Sequence, residues 1–214
     1  MIHVEQFTFN GFQENTYVVF DDQKKAVIID PGCYERYEES TLVSFIEEKK
    51  LDVLAVLNTH AHIDHILGNQ FMCSQFGVEL YLHEMDLNTL RSVESYAHVY
   101  GFNAYKTSPE PSHYLKDGEV LRFGDIELKV IFTPGHAPGH VVFYCEKGNF
   151  VINGDVLFQG SFGRVDLPGG DLETLKRSIF NVMFKLPEDT IVYCGHGPST
   201  TIGHEKNFNY IHQF

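Results

Sequence analysis

The sequence predicts an α/β fold, an αββα sandwich in which two mixed β-sheets pack face to face with helices on the outside. Two observations predict it. A rhythm of strand-like runs, one helix and a closing strand occurs in the first half of the chain and again in the second. Several runs, Val53-Leu54-Ala55-Val56-Leu57 foremost, are apolar without alternation, as strands buried on both faces are. The 214 residues, 43% hydrophobic and 21% charged, suit a single globular domain over residues 1–214 with a sizeable core.

The elements follow in chain order. Residues 4–9, 15–20 and 26–30 read as strands, with the polar stretch 21–25 as a hairpin loop. Pro31-Gly32 breaks the pattern. A helix is predicted over about 41–50, capped by Ser40 or Thr41, with Leu42, Phe45 and Ile46 on one face. A strand over 53–59 runs into a His-rich turn, a helix follows over 66–76, and 79–83 is a further strand. Residues 84–116 are the least regular part, with a loop at 108–112; such an insert reads as a lid or binding element, or as a packed surface excursion. Residues 119–123 and 126–133 flank a Gly124-Asp125 turn, and 141–146 and 150–155 flank Lys147-Gly148-Asn149, giving two hairpins. A helix over 172–183 carries Leu172, Leu175, Ile179, Val182 and Met183 as a core stripe, and a strand over 190–195 closes the pattern.

Composition excludes several function classes. A formal net charge of −13 argues against a nucleic-acid partner, whose phosphates need clustered Lys and Arg. No apolar run is long enough to span a membrane, and the N-terminus lacks the basic start and apolar core of a signal peptide. Cys33, Cys73, Cys145 and Cys194 lie far apart with no Cys-x-x-Cys, so free thiols and a cytoplasmic location are expected.

The chemistry concentrates in residues 59–65, Thr-His-Ala-His-Ile-Asp-His. His60, His62, Asp64 and His65 cannot all point one way from a regular helix or strand, but they converge if the backbone turns there. Imidazole and carboxylate donors at a strand end make a first-row metal site by ligand type. Three further strand-like runs end in Gly plus a possible ligand. They are Thr-Pro-Gly-His-Ala-Pro-Gly-His at 133–140, Asn-Gly-Asp at 153–155 and Cys-Gly-His-Gly-Pro at 194–198. Glycine permits the close backbone approach that a crowded site requires. His140, four residues past His136, reads either as a partner that holds a ligand or loop or as a satisfied structural histidine. Arg164 reads as a contact for an anionic substrate or as a partner of Asp166, and His204 and Lys206 as residues rimming the site. His3, His98, His113 and His212 read as surface or packing residues.

In the order of these motifs the chain resembles the metallo-β-lactamase superfamily over nearly its whole length, and within it the short glyoxalase II-like hydrolases. Gln13-Glu14-Asn15-Thr16-Tyr17, Gly154-Asp155-Val156-Leu157-Phe158, the stretch 163–171 and Gly195-His196-Gly197-Pro198 add to the likeness. The resemblance implies one ion on His60, His62 and His136, a second on Asp64, His65 and His196, and Asp155 bridging the two. It implies two divalent ions, zinc first with iron or manganese as alternatives, and a bridging hydroxide that attacks a small-molecule thioester such as a 2-hydroxyacyl-glutathione. Asp64 would both bind metal and orient the nucleophile. Only 17 residues follow Gly197, too few for the helical C-terminal region with which longer relatives grip glutathione. The alternatives are a single-iron persulfide dioxygenase, which needs only His60, His136 and Asp155, and a lactonase-type hydrolase. A β-lactamase is disfavoured by the bridging Asp155, a ribonuclease by the acidity of the chain, and a non-enzymatic metal-binding module by the completeness of the ligand set. The His-x-Glu-x-Asp-His variant of di-iron flavoproteins is absent, since position 62 is His.

Overall fold

The computed structural model describes residues 1–214. β1 (Ile2–Phe9), β2 (Glu14–Asp21) and β3 (Lys25–Ile29) form an antiparallel meander. α1 (Arg36–Lys49) crosses to β4 (Asp52–Leu57), which lies parallel to β3. α2 (Ile63–Ile66) and α3 (Asn69–Phe76) lead to β5 (Glu79–His83). α4 (Leu87–Tyr96) leads on to β6 (His113–Leu115), and both strands extend the parallel half. The second sheet holds the hairpins of β7 (Val120–Phe123) with β8 (Ile126–Phe132) and β9 (Val141–Cys145) with β10 (Phe150–Gly154). A small hairpin of β11 (Leu157–Phe158) and β12 (Ser161–Phe162) precedes α5 (Leu172–Asn181). β13 (Ile191–Cys194) pairs parallel to β10, and β14 (Thr200–Thr201) and α6 (Ile202–Phe208) finish the fold. The sheet orders are β1-β2-β3-β4-β5-β6 and β14-β13-β10-β9-β8-β7, so both sheets are mixed as predicted.

The period-2 geometry of strands explains the layers. In β3, Val27 and Ile29 face the second sheet and pack with Leu128, Val130 and Phe143. Ala26 and Ile28 face the other way, toward Leu42 and Ile46 of α1 and Met72 of α3. α5 and α6 cover the far side of the second sheet through Leu175, Ile179 and Ile202, packed on Val151 and Val192. A strand covered on both faces has no polar side to show, hence the unbroken apolar runs. No helix is long and apolar enough to cross a membrane. All four cysteines are free and buried.

Three sequence expectations are corrected. α1 starts at Arg36 rather than near Thr41. Its N-cap is Glu35, paired with Glu38 in a capping box, and a glutamate at the N-cap signals less clearly than the Ser or Thr expected at this position. The helix expected over 66–76 is broken at Gly68, where a Cβ would meet Pro31 O at 2.8 Å. The irregular stretch 84–116 contains α4, flanked by two 3₁₀ turns. Its core contacts Leu87, Leu90 and Val93 have Asn88, Thr89 and Ser92 between them, residues of poor helix propensity, so packing decides the helix.

Candidate metal centre

The site lies along one edge of the sandwich, where β4, β8, β10 and β13 all end. His60, His62, Asp64 and His65 come from the turn after β4 and from α2. His136 follows β8, Asp155 follows β10 and His196 follows β13. The donor atoms gather in two groups of three, His60 with His62 and His136, and Asp64 with His65 and His196, each within 4.8 Å of one another. Asp155 lies between them. Its Oδ1 is 3.5 Å from His65 Nε2, and its Oδ2 is 3.5 Å from the Nε2 atoms of both His136 and His196. His196 Nε2 is 3.2 Å from Asp64 Oδ2.

The outer ring atoms decide which atoms face inward. His136 Nδ1–H donates to Arg164 O at 2.7 Å, and His196 Nδ1–H donates to Phe12 O at 3.1 Å. His65 Nδ1–H donates to Asp30 Oδ2 at 3.1 Å. The Thr59 hydroxyl donates to Asp30 Oδ2 at 2.6 Å, so it accepts from His60 Nδ1–H at 3.0 Å. A carbonyl or carboxylate only accepts, so each of these four rings carries its proton on the outside and turns its Nε2 to the centre. His65 Nε2 and Asp155 Oδ1 are buried there with no hydrogen-bond partner. Unpartnered buried polar atoms are expensive unless something charged answers them. Three imidazole nitrogens as close as 2.8 Å (His62 Nδ1 to His136 Nε2) and 3.3 Å (His136 Nε2 to His60 Nε2) make the same demand. This donor set fits divalent cations, which bind through lone pairs of this kind.

Electrostatics agrees for His60 and His62, while at His65 and His196 the facing carboxylates of Asp155 and Asp64 outweigh burial and favour a positive charge at the place a cation would fill. Burial, then the neighbouring His65 and His140, holds His60 well below the usual histidine range. Burial together with His136 pushes His62 down to about 3. Both rings are therefore neutral, the form that ligates. Burial would raise the Asp155 carboxyl, but His65, His136 and His196 override it and keep the carboxylate ionised.

Residues that do not face the centre hold it in shape. Asp30, in a left-handed backbone conformation (φ 49°), accepts from Thr59 N at 2.7 Å as well as from Thr59 Oγ1 and His65. Its carboxylate is taken up by these donors, so the nearness of Asp30 to His60 and His65 does not make it a ligand. His140 Nε2 accepts from Asp155 N–H at 3.1 Å, and its ring stacks on His60 at 4.7 Å. From β2, Asn15 Nδ2 donates to Cys194 O and Gly197 O, and Tyr17 OH donates to Cys194 O, tying the His196 loop to the first sheet. Gly154 (φ 52°) has no room for a side chain, because a Cβ would meet Thr59 Oγ1 at 2.5 Å and His140 Nε2 at 2.7 Å.

Buried Asp86 joins the two halves of the site. One oxygen accepts from Ala61 N–H at 2.7 Å and the other from Gly139 N–H at 2.6 Å. It thereby clamps the His60–His62 turn to the His136 loop. Asp86→Ala leaves two buried N–H groups unpaired and is expected to cost about 2–4 kcal/mol of stability. It should also weaken metal binding by about ten- to a hundredfold, as loss of an outer support of a metal site does. Urea unfolding and metal titration against a competing chelator measure the two effects.

A cavity of about 910 Å³ opens over the centre. His62, Asp64, His136, Asp155 and His196 form its floor, α4 with the turn after it forms one wall, and β11–β12 with residues 164–168 the other. Arg164 lines the cavity, with its guanidinium paired to both carboxylate oxygens of Asp166 at 2.6 Å. His204 and Lys206 do not rim it, which corrects the sequence expectation. Lys206 pairs with Glu188 and His204 packs on Phe208, because α6 turns that face to the outer surface. His3 pairs with Asp22, His113 with Glu119, and His212 stacks on Phe184.

A family model described as the metallo-β-lactamase superfamily matches residues 9–196. The chain belongs to the metallo-β-lactamase superfamily. Among relatives in this superfamily, it is 36% identical over 209 residues to hydroxyacylglutathione hydrolase GloC of Haemophilus influenzae, covering 97% of both chains. It is 38% identical over 200 residues to the probable metallo-hydrolase YqgX of Bacillus subtilis, covering 92% of this chain and 91% of that one. The crystal structure of BLEG-1 B3 metallo-β-lactamase superposes with a TM-score of 0.88 at 38% identity, covering 97% of this chain and 98% of that one. TTHA1623 in a di-iron-bound form superposes with a TM-score of 0.85 at 37% identity, covering 96% and 98%. The superfamily and sandwich expected from the motifs are thus the ones found.

Asp30, Asp86 and Phe12 escaped the sequence reading. Asp30 had a usable signal, an acidic residue at a strand end immediately before Pro-Gly. Asp86 and Phe12 had none, since their partners are distant in the chain.

Proposed function

We propose that this chain is a hydrolase of thioesters working with two divalent cations, zinc first among the candidates, and that 2-hydroxyacyl thioesters are its substrate class. In this reading His60, His62 and His136 hold one ion, Asp64, His65 and His196 the other, and Asp155 reaches both. The observation that carries it is the inward convergence of seven donor side chains, four of whose rings have their other nitrogen engaged by the protein. The likeness to hydroxyacylglutathione hydrolase GloC supports the reaction class. The di-iron form of TTHA1623 supports a pair of ions and leaves the choice of metal open.

When bound, the ions supply an activated water and polarise the substrate carbonyl. The protein does the rest. Asp64, at the cavity floor with its side chain 14% exposed, is placed to accept the proton of the attacking water and to orient it. Oxygen adds to the carbonyl carbon, the C–S bond breaks, and the products are a carboxylate and a thiol. A thiol of pKa near ~8.5 departs readily as thiolate, so no strong general acid is needed.

Elemental analysis of the purified protein, paired with a thiol-release assay on S-lactoylglutathione and related thioesters, tests the proposal. Two ions per chain and thiol release are expected. One iron per chain with oxygen uptake on glutathione persulfide would replace it with the dioxygenase reading, for which His60, His136 and Asp155 suffice. Turnover of lactones alone would replace it with the lactonase.

A further inference from the structure

We infer that the part of the substrate running out along the cavity is uncharged and apolar, so that a carrier with free carboxylates, glutathione included, is handled poorly. This rests on reading the centre as a thioester hydrolase. Aromatic rings stand on both walls above the ligands, among the small neutral side chains Asn88, Thr89, Ser92 and Ser161. Phe12 and Tyr100 meet edge to face at 5.8 Å, and Tyr96 meets Tyr100 at 5.9 Å. Phe158 and Phe162 stand opposite on the small hairpin, which Asn209 pins by donating from Nδ2 to Ser161 O at 2.7 Å. Phe12 is 41% and Tyr100 51% exposed, apolar surface that a ligand in the cavity would cover.

The charges point the same way. No lysine lines the cavity, and Arg164 is its only side chain with a permanent positive charge. That charge is already answered, since Nε and Nη2 of Arg164 each meet an oxygen of Asp166 at 2.6 Å in a fork-to-fork pair. An anionic carrier must break this pair, rest its carboxylates on aromatic rings, where desolvation is unfavourable, or make do with the neutral donors of Asn88, Thr89, Ser92 and Ser161, which answer no charge. The net charge of −13 adds a long-range repulsion.

Two thioethers that cannot be hydrolysed isolate this effect, S-benzylglutathione with its amine blocked by acetylation and the diethyl ester of that compound, which share one skeleton, carry no ammonium and differ in carboxylate charge. Calorimetric titration of the metal-loaded protein at ~0.15 M salt, which screens distant charges, is expected to show the diester binding at least about tenfold more tightly. Asp166→Asn frees Arg164 and is expected to tighten the free acid by about three- to tenfold while leaving the diester unchanged. The Arg164–Asp166 pair is exposed, so this variant should fold normally. Tyr100→Ala is expected to weaken the diester several-fold. Equal or tighter binding of the free acid by the unmodified protein overturns the inference, as does a gap that Asp166→Asn does not narrow. S-lactoylglutathione and its diethyl ester, run as thioester substrates, should follow the same order in kcat/KM. Failure to cleave either would count against the hydrolase reading, while the thioether ranking still decides the question of charge.

Discussion

Asp155→Asn is expected to lower thioester hydrolysis by about a thousandfold or more, several kcal/mol of transition-state stabilisation, and to reduce the metal content below two ions per chain. The carboxylate sits 3.5 Å from the Nε2 atoms of His65, His136 and His196, which belong to both ligand groups. Its Oδ1 has no partner in the protein, and the imidazoles around it keep it ionised against the pull of burial. Asparagine preserves the volume and removes the charge and one oxygen donor. The backbone at this position stays anchored, because Asp155 N–H still donates to His140 Nε2. The fold is therefore expected to survive while the centre does not. Elemental analysis, thiol release and thermal unfolding of the same preparation separate the two outcomes. A variant that keeps two ions and its full rate removes Asp155 from the centre.

Stripping the ions with a chelator is expected to lower Tm by about 8–16 °C. An ion that binds only the folded chain stabilises it by about 4 kcal/mol when present at about a thousand times its Kd, and a domain of this length shifts by roughly 2–4 °C per kcal/mol. The reason lies in the crowding of the donors. Imidazole nitrogens of His62, His136 and His60 face one another at 2.8 and 3.3 Å, and burial keeps the rings of His60 and His62 neutral. Two carboxylates, Asp64 and Asp155, face the same space. A cation converts these opposed lone pairs and charges into attractions. Differential scanning calorimetry before chelation, after chelation and after metal is returned measures the shift and its reversal. A Tm indifferent to chelation counts against any ion at this place.

The ligand-type residues were legible because each stands in a local pattern. His60, His62, Asp64 and His65 share one turn, and His136, Asp155 and His196 each follow an apolar run and a glycine. The glycines matter physically. A Cβ at Gly195 would overlap Asp155 Oδ1, and one at Gly154 would strike Thr59 and His140. The supports were not legible. Asp30 meets a ring 35 positions away in His65, and Asp86 meets a backbone amide 53 positions away at Gly139. Nothing in the residues around a lone buried carboxylate announces which distant donor it will accept. The α4 wall escaped for a related reason, since Asn88, Thr89 and Ser92 weaken its helical signal and only docking of Leu90 and Val93 on the core makes it a helix.

By itself the amino-acid order determined the sandwich and the identity of the donor side chains, because strand periodicity, glycine and ligand chemistry act over a few neighbouring positions. The folded molecule alone decided which ring nitrogen turns inward, what clamps the two ligand loops together, and how apolar the space above them is. Those properties arise from contacts between residues tens to more than a hundred positions apart, and such contacts exist only once the two sheets have closed on each other.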